Sequence, residues 1–99
     1  MTEYSDAQAA AVFRRLVHHL QQRDDAQNVD LMGLAGFCRN CLGDWLAEAS
    51  DGALSKDEGR AAVYGMPYAD WKAAHQQSAS ADQIARMEAS VARNRELGL

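Results

Sequence analysis

The chain has 99 residues and a net charge of −4. That is the size of one domain, with the wrong charge balance for a general nucleic-acid binder, which carries a basic surplus. No apolar run approaches the roughly 18 residues that cross a bilayer, and the polar, acidic start MTEYSDAQAA does not resemble a signal peptide. A cytoplasmic protein without a membrane partner is expected, and its two cysteines are too few for a secreted disulfide framework, so they are expected as reduced thiols.

Alanine supplies much of the apolar content and β-branched residues are scarce, a composition that favours helix over sheet. The expectation is a single helical domain over residues 1–99, with 1–4 and 98–99 frayed. Ser5-x-x-Gln8 reads as a capping box that opens a helix from about Asp6 to Gln22 or Arg23. Phe13, Leu16, Val17 and Leu20 form its inward face with Val12 adjoining, and Arg14, Arg15, His18 and Gln22 lie opposite. The stretch RDDAQN is a polar connection, with Asn28 or Asp30 placed to cap the next helix.

Asp30–Ser50, DLMGLAGFCRNCLGDWLAEAS, is the densest apolar stretch and reads as one central helix. Leu31, Leu34, Cys38, Cys41, Trp45 and Ala49 follow at helical steps of three or four. Asn40, Asp44 and Glu48, with Arg39 beside them, make one narrow strip suited to water, so the helix is expected to be buried around most of its circumference. Gly33, Gly36 and Gly43 each cost about 1 kcal/mol relative to Ala in a helix interior. Close approach of a neighbouring helix explains them more simply than a break near Gly36. Asp51-Gly52 is a stop signal.

A second capping box, Ser55-x-x-Glu58, opens a short helix of about Lys56 to Tyr64, closed by Gly65. Pro67 suits the start of the next helix, which runs to about Gln77 with Tyr68, Trp71 and His75 on one stripe. Ser80-x-x-Gln83 is a third capping box. The last helix carries Ile84, Met87 and Val91 on one face and ends near Leu97. The fold class expected is therefore all-α, four or five helices around the central one.

The words DLMGLAGFCRNCLGDWL (Asp30–Leu46) and VYGMPYADWK (Val63–Lys72) resemble a family of short bacterial and phage-borne proteins, domain of unknown function 1244. FCRNCL and YGMPY are its specific words, and the resemblance covers roughly residues 12 to 85. It implies a compact helical fold in a bacterial cytoplasm and carries over no catalytic residue, substrate or cofactor. Gly33 and Gly43 depart from the family pattern, which has bulkier or more polar residues there.

Cys38 and Cys41 are the one pair with chemical potential. Their C-x-x-C spacing suggests a redox pair or half a zinc site. Two turns inside a continuous helix, on its apolar face, they would be small core residues with blunted reactivity. A break near Gly36 would remove that objection by putting Cys38 near a new N-terminus. Zinc needs four ligands; His19, at the edge of the first helix's apolar face, is the candidate third, or two chains could each give Cys38 and Cys41. The cluster Tyr64, Met66, Tyr68, Trp71 and Lys72 reads as the cap of a small core or as a groove for a peptide or apolar ligand. No Ser–His–Asp order, H-E-x-x-H or phosphate loop occurs. The functional expectation is a non-enzymatic interaction module with a protein partner or a second copy of itself. A thiol- or metal-dependent protein and a ligand-binding domain are the rivals.

Overall fold

In a computed structural model, which describes residues 2–99, those residues form six helices and no strand. The chain is all-α, as its composition implies. Met1, part of the end expected to fray, lies outside the described residues. The helices are α1 (Asp6–Gln22), α2 (Asn28–Ala35), α3 (Arg39–Ala49), α4 (Lys56–Tyr64), α5 (Tyr68–His75) and α6 (Ala81–Glu96).

All three capping boxes form. Ser5, Ser55 and Ser80 each accept from the backbone N–H three residues on, at 3.1 Å, and each partner side chain accepts in return from the serine N–H. Each box satisfies two donors that the start of a helix otherwise leaves unpaired. Gly65 closes α4 in the left-handed conformation and Pro67 caps α5. The α5 helix stops at His75, a little short of Gln77. Gln27 takes over there: its Nε2 donates to His75 O and its Oε1 accepts from Gln77 N, at 2.9 and 3.0 Å. That clamp fixes the path of the connector into α6.

The expected continuous helix over Asp30–Ser50 is not one helix. Gly36 adopts φ 77° and ψ 13° and ends α2, its N–H bonded to Met32 O. Asn94 of α6 donates to Gly36 O at 2.8 Å, so a carbonyl left over at the end of α2 is satisfied from another helix. Phe37 and Cys38 lie between the helices, Cys38 with extended backbone, and α3 starts at Arg39. A left-handed residue costs a non-glycine side chain roughly 1–2 kcal/mol, and this is why glycine stands at the break. Six helices replace the expected four or five for the same reason.

The other two glycines do what a close approach requires. A Cβ on Gly43 would lie 2.6 Å from Arg60 Cα, and one on Gly59 would run into Gly43 O, so α3 and α4 cross backbone to backbone. Gly33 faces Arg86 Cβ of α6 at 3.3 Å. Two helix pairs thus form the frame, α3 with α4 and α2 with α6, and α1 and α5 lean on α4. The buried apolar core is small: Cys38, Leu42, Val63, Tyr64 and Trp71.

Candidate functional site

The break at Gly36 moves the chemistry of the chain. Arg39, expected on a solvated strip, is only 1% exposed and is the most buried charged residue of the described chain. As the first residue of a new helix it points inward, toward the end of α1. Its Nη1 donates to Ala26 O at 2.7 Å and Asn28 Oδ1 at 3.0 Å, and its Nη2 to Arg23 O at 2.7 Å and Leu20 O at 3.3 Å. The guanidinium therefore closes the C-terminal turn of α1, where carbonyls lack partners and the helix dipole favours a cation. Its carbon also lies 4.9 Å from the centre of the Trp71 ring, a cation–π arrangement. Burial draws its pKa below the usual arginine range. No carboxylate bonds to it among the described residues; neutral oxygens and a π face carry the charge.

Tyr64 extends the same network. Its hydroxyl donates to Asn40 Oδ1 at 2.7 Å and accepts from Asn28 Nδ2 at 2.9 Å, so Asn28 links Tyr64 to Arg39. Burial pushes the Tyr64 hydroxyl pKa well above the ordinary tyrosine value, with the Asn28 bond opposing. The ring stacks on Tyr68 and meets Trp71 at a tilt, with centroids 5.2 and 5.0 Å apart. Among the cluster considered for a groove, Tyr64 and Trp71 are buried, Tyr68 is half-buried, and Met66 and Lys72 are exposed. The Trp71 ring walls the arginine pocket, and Met66 and Lys72 face solvent.

Cys38 occupies the N-cap of α3 and Cys41 the third position of its first turn. Cys38 is 6% exposed, and Cys41 is partly exposed with its thiol 3.8 Å from Met32 Sδ. Burial raises the Cys38 thiol pKa. The backbone N–H groups of Cys41 and Asn40, which lie where they would stabilise a thiolate, oppose this. The pair is thus neither in the middle of a helix nor freely exposed. His19 is exposed on α1. Among the described residues no three of His, Cys, Asp or Glu gather closely enough to hold a metal ion, so the His19 set is not assembled within one chain.

One further surface is not singled out by any motif. Phe13, Leu42, Trp45, Leu46 and Ala49 line an open groove between α1 and α3, and Tyr4, Ala9, Val12, Phe13 and Leu16 line an adjoining one. They share Phe13, so one apolar strip runs from the N-terminal segment to the end of α3. Val12 is 68% and Trp45 53% exposed, and α1 has no fully buried residue. Trp45, expected inside, is turned outward by the break, with Phe37 against its ring at 6.1 Å. The signal in the sequence that points to this strip is Val12, one residue too many for the face that α1 needs for its own core.

A family model described as "Protein of unknown function (DUF1244)" matches residues 26–89. No curated protein matches the chain. The match spans the arginine pocket, both cysteines and the aromatic cluster, and begins after α1.

Proposed function

The chain belongs to the DUF1244 family, whose description names no activity, and we propose that it is a non-enzymatic interaction module that pairs with a second copy of itself through the α1–α3 strip. One observation carries this reading. The chain presents 7108 Å² of accessible surface, whereas a compact monomer of 10.8 kDa presents about 5,500 Å². The surplus of about 1,600 Å² exceeds the roughly 800 Å² that each partner buries in a standard interface. The radius of gyration, 14.6 Å, is likewise larger than the roughly 13 Å of a compact chain of this length.

The chemistry of the strip fits a second copy. Its centre holds Trp45, Phe13 and Val12, a large aromatic anchor flanked by aliphatic area, the kind of residue on which binding energy concentrates. Arg15, three residues on from Val12 in α1, and Glu48, three on from Trp45 in α3, flank it at helical spacing, and both are exposed. A two-fold arrangement brings the same patch against itself, and this rim offers both signs of charge for it.

The test is sedimentation equilibrium of the 99-residue protein, with the variants Trp45→Asp and Val12→Asp. The expected result is a wild-type dimer at micromolar concentration and monomeric variants with unchanged far-UV circular dichroism. A wild-type chain that stays monomeric at high micromolar concentration overturns the reading, as does a dimer that both variants leave intact.

A further inference from the structure

We infer that Cys38 and Cys41 form a dithiol site that closes reversibly to an intramolecular disulfide, with a small disulfide of the glutathione class as its oxidant. This goes beyond the self-association reading and rests on a different part of the molecule, since neither cysteine lines the α1–α3 strip.

The geometry comes from comparing helix starts within the chain. At α1, α4 and α6 the N-cap side chain and the side chain three residues on turn toward each other, and each reaches the other residue's backbone N–H. The N-cap backbone is extended in all three, with φ −81°, −70° and −75° and ψ 165°, 168° and 164°. At α3 the same two slots hold Cys38 and Cys41, and the N-cap is again extended, with φ −142° and ψ −172°. Helix geometry puts Cα atoms three residues apart at about 5 Å, inside the roughly 4.4–6.8 Å range of disulfides. No side-chain capping bond forms at α3, and the Cys41 thiol lies against Met32 Sδ, but the Cys38 and Cys41 side chains occupy the paired slots of a helix start and interact with each other, so a bond between the two requires no refolding of α3.

Access sets the order of events. Cys41 is partly exposed and Cys38 is buried, so the incoming disulfide meets Cys41. The Cys41 thiolate attacks one sulfur of glutathione disulfide, forming a mixed disulfide and releasing one glutathione thiolate. The Cys38 thiolate then attacks the Cys41 sulfur, forming the Cys38–Cys41 bond and releasing the second. The protein gives up two electrons and two protons, and the oxidant takes them as two molecules of glutathione. This order reverses the usual arrangement in which a helix-start cysteine is the exposed nucleophile. It stems from Gly36, which starts α3 with its N-cap turned into the protein.

The test uses the complete chain, equilibrated anaerobically with mixtures of reduced and oxidised glutathione, then blocked with iodoacetamide and weighed intact. Expected are a single two-electron transition from a doubly alkylated to an unalkylated species, still one chain per molecule after denaturation, and a glutathione adduct on Cys38→Ser. In Cys41→Ser the remaining thiol should react with glutathione disulfide at least about tenfold more slowly than the Cys41 thiol of Cys38→Ser, since thiol reactivity depends on access and thiolate content. Two thiols that stay alkylatable across the whole range overturn the proposal, as does oxidation only to chain-to-chain disulfides. Equal reaction rates in the two single variants overturn the order of attack. Urea-denatured chain, run in parallel, shows whether the fold brings the thiols together: its pair should close less readily.

Discussion

Replacing Arg39 by Ala tests whether a buried guanidinium without a carboxylate partner holds α1 to α3. Four oxygens lose a donor: Ala26 O, Asn28 Oδ1, Leu20 O and Arg23 O, the last keeping the Ala26 N–H. A hydrogen bond to a charged group contributes about 1.5–3 kcal/mol net, but the four do not add. The Leu20 bond is long, and carbonyls at the end of α1 recruit water once the pocket opens. The π contact with Trp71 contributes up to about 2 kcal/mol more where it is desolvated. A total loss of about 3–5 kcal/mol is expected, from breaking a buried hydrogen-bond network and emptying the pocket that the side chain fills. For a chain of this size that lowers the melting temperature by roughly 12–40 °C, at about 4–8 °C per kcal/mol. Arg39→Lys keeps the charge but not the planar fork and should lose at least about 2 kcal/mol, because an ammonium cannot serve both pairs of acceptors. Arg14→Ala, on the exposed side of α1, is the control and should stay within about 0.5 kcal/mol. The assay is urea denaturation followed by far-UV circular dichroism at one fixed protein concentration, since self-association would otherwise shift the midpoint. A loss below about 1 kcal/mol for Arg39→Ala refutes the reasoning and makes the guanidinium a passenger in the pocket.

The same packing dictates the outcome of other substitutions. Gly43→Ala forces a methyl into the α3–α4 crossing, where Arg60 Cα would lie 2.6 Å away, and should cost about 1–3 kcal/mol in thermal denaturation, whereas Gly52→Ser, in open space at φ 89°, should cost only its left-handed backbone, about 1–2 kcal/mol. Asp44 accepts two bonds from Arg60, at 2.9 and 3.2 Å, which hold its carboxyl pKa below the usual value. A lowered folded-state pKa gives stability that is present above the unfolded value and lost as pH falls through the folded one, so Asp44→Asn should be less stable than wild type at neutral pH, by about 1 kcal/mol for this half-buried pair, with the gap closing in strong acid. Ser80→Ala removes one capping box and should loosen α6 by about 1 kcal/mol, read as faster amide exchange in its first turn.

Local signals in the sequence are reliable wherever a helix start or stop depends on a few adjacent residues. Ser5, Ser55 and Ser80 mark their helices, and Gly65 with Pro67 marks the turn between α4 and α5. The helical periodicity of Asp30–Ser50 misleads, because the two helices α2 and α3 each keep the 3.6-residue period and only Gly36, Phe37 and Cys38 separate them. Gly36 carries the one local hint, but Gly33 and Gly43 offer the same residue for a different reason: at those two only the close approach of a helix calls for glycine, while at Gly36 the backbone also needs a positive φ. Sequence shows a glycine in each case, and only the backbone torsion tells them apart. The arginine pocket is illegible for the same reason. Its acceptors come from residues 20 to 28, and nothing in a run of polar residues says which arginine turns inward.

The left-handed torsion at Gly36 accounts for three features that look unrelated along the chain. Ending α2 there lets α3 start in a new direction, which aims Arg39 at the open end of α1. It makes Cys38 an N-cap and so puts Cys38 and Cys41 in the paired slots of a first turn rather than along the middle of a helix. It also turns Trp45 outward, away from the core that a continuous helix would have offered it, and leaves it on the strip shared with Phe13 and Val12. Asn94 holds the break from the far side through Gly36 O, so α6 takes part although it donates no bond to either cysteine or to the arginine. Gly36→Ala is therefore the most informative single change. A strained but intact break would cost about 1–2 kcal/mol for the left-handed backbone plus the displacement of Asn94, whose side-chain amide the new Cβ would meet, and leave the dithiol and the strip in place. A chain that instead straightened α2 into α3 would withdraw Arg39 from α1 and carry Cys38 into the helix. Stability, thiol closure and self-association would then fail together, whereas they are separable in Arg39→Lys, Cys38→Ser and Trp45→Asp.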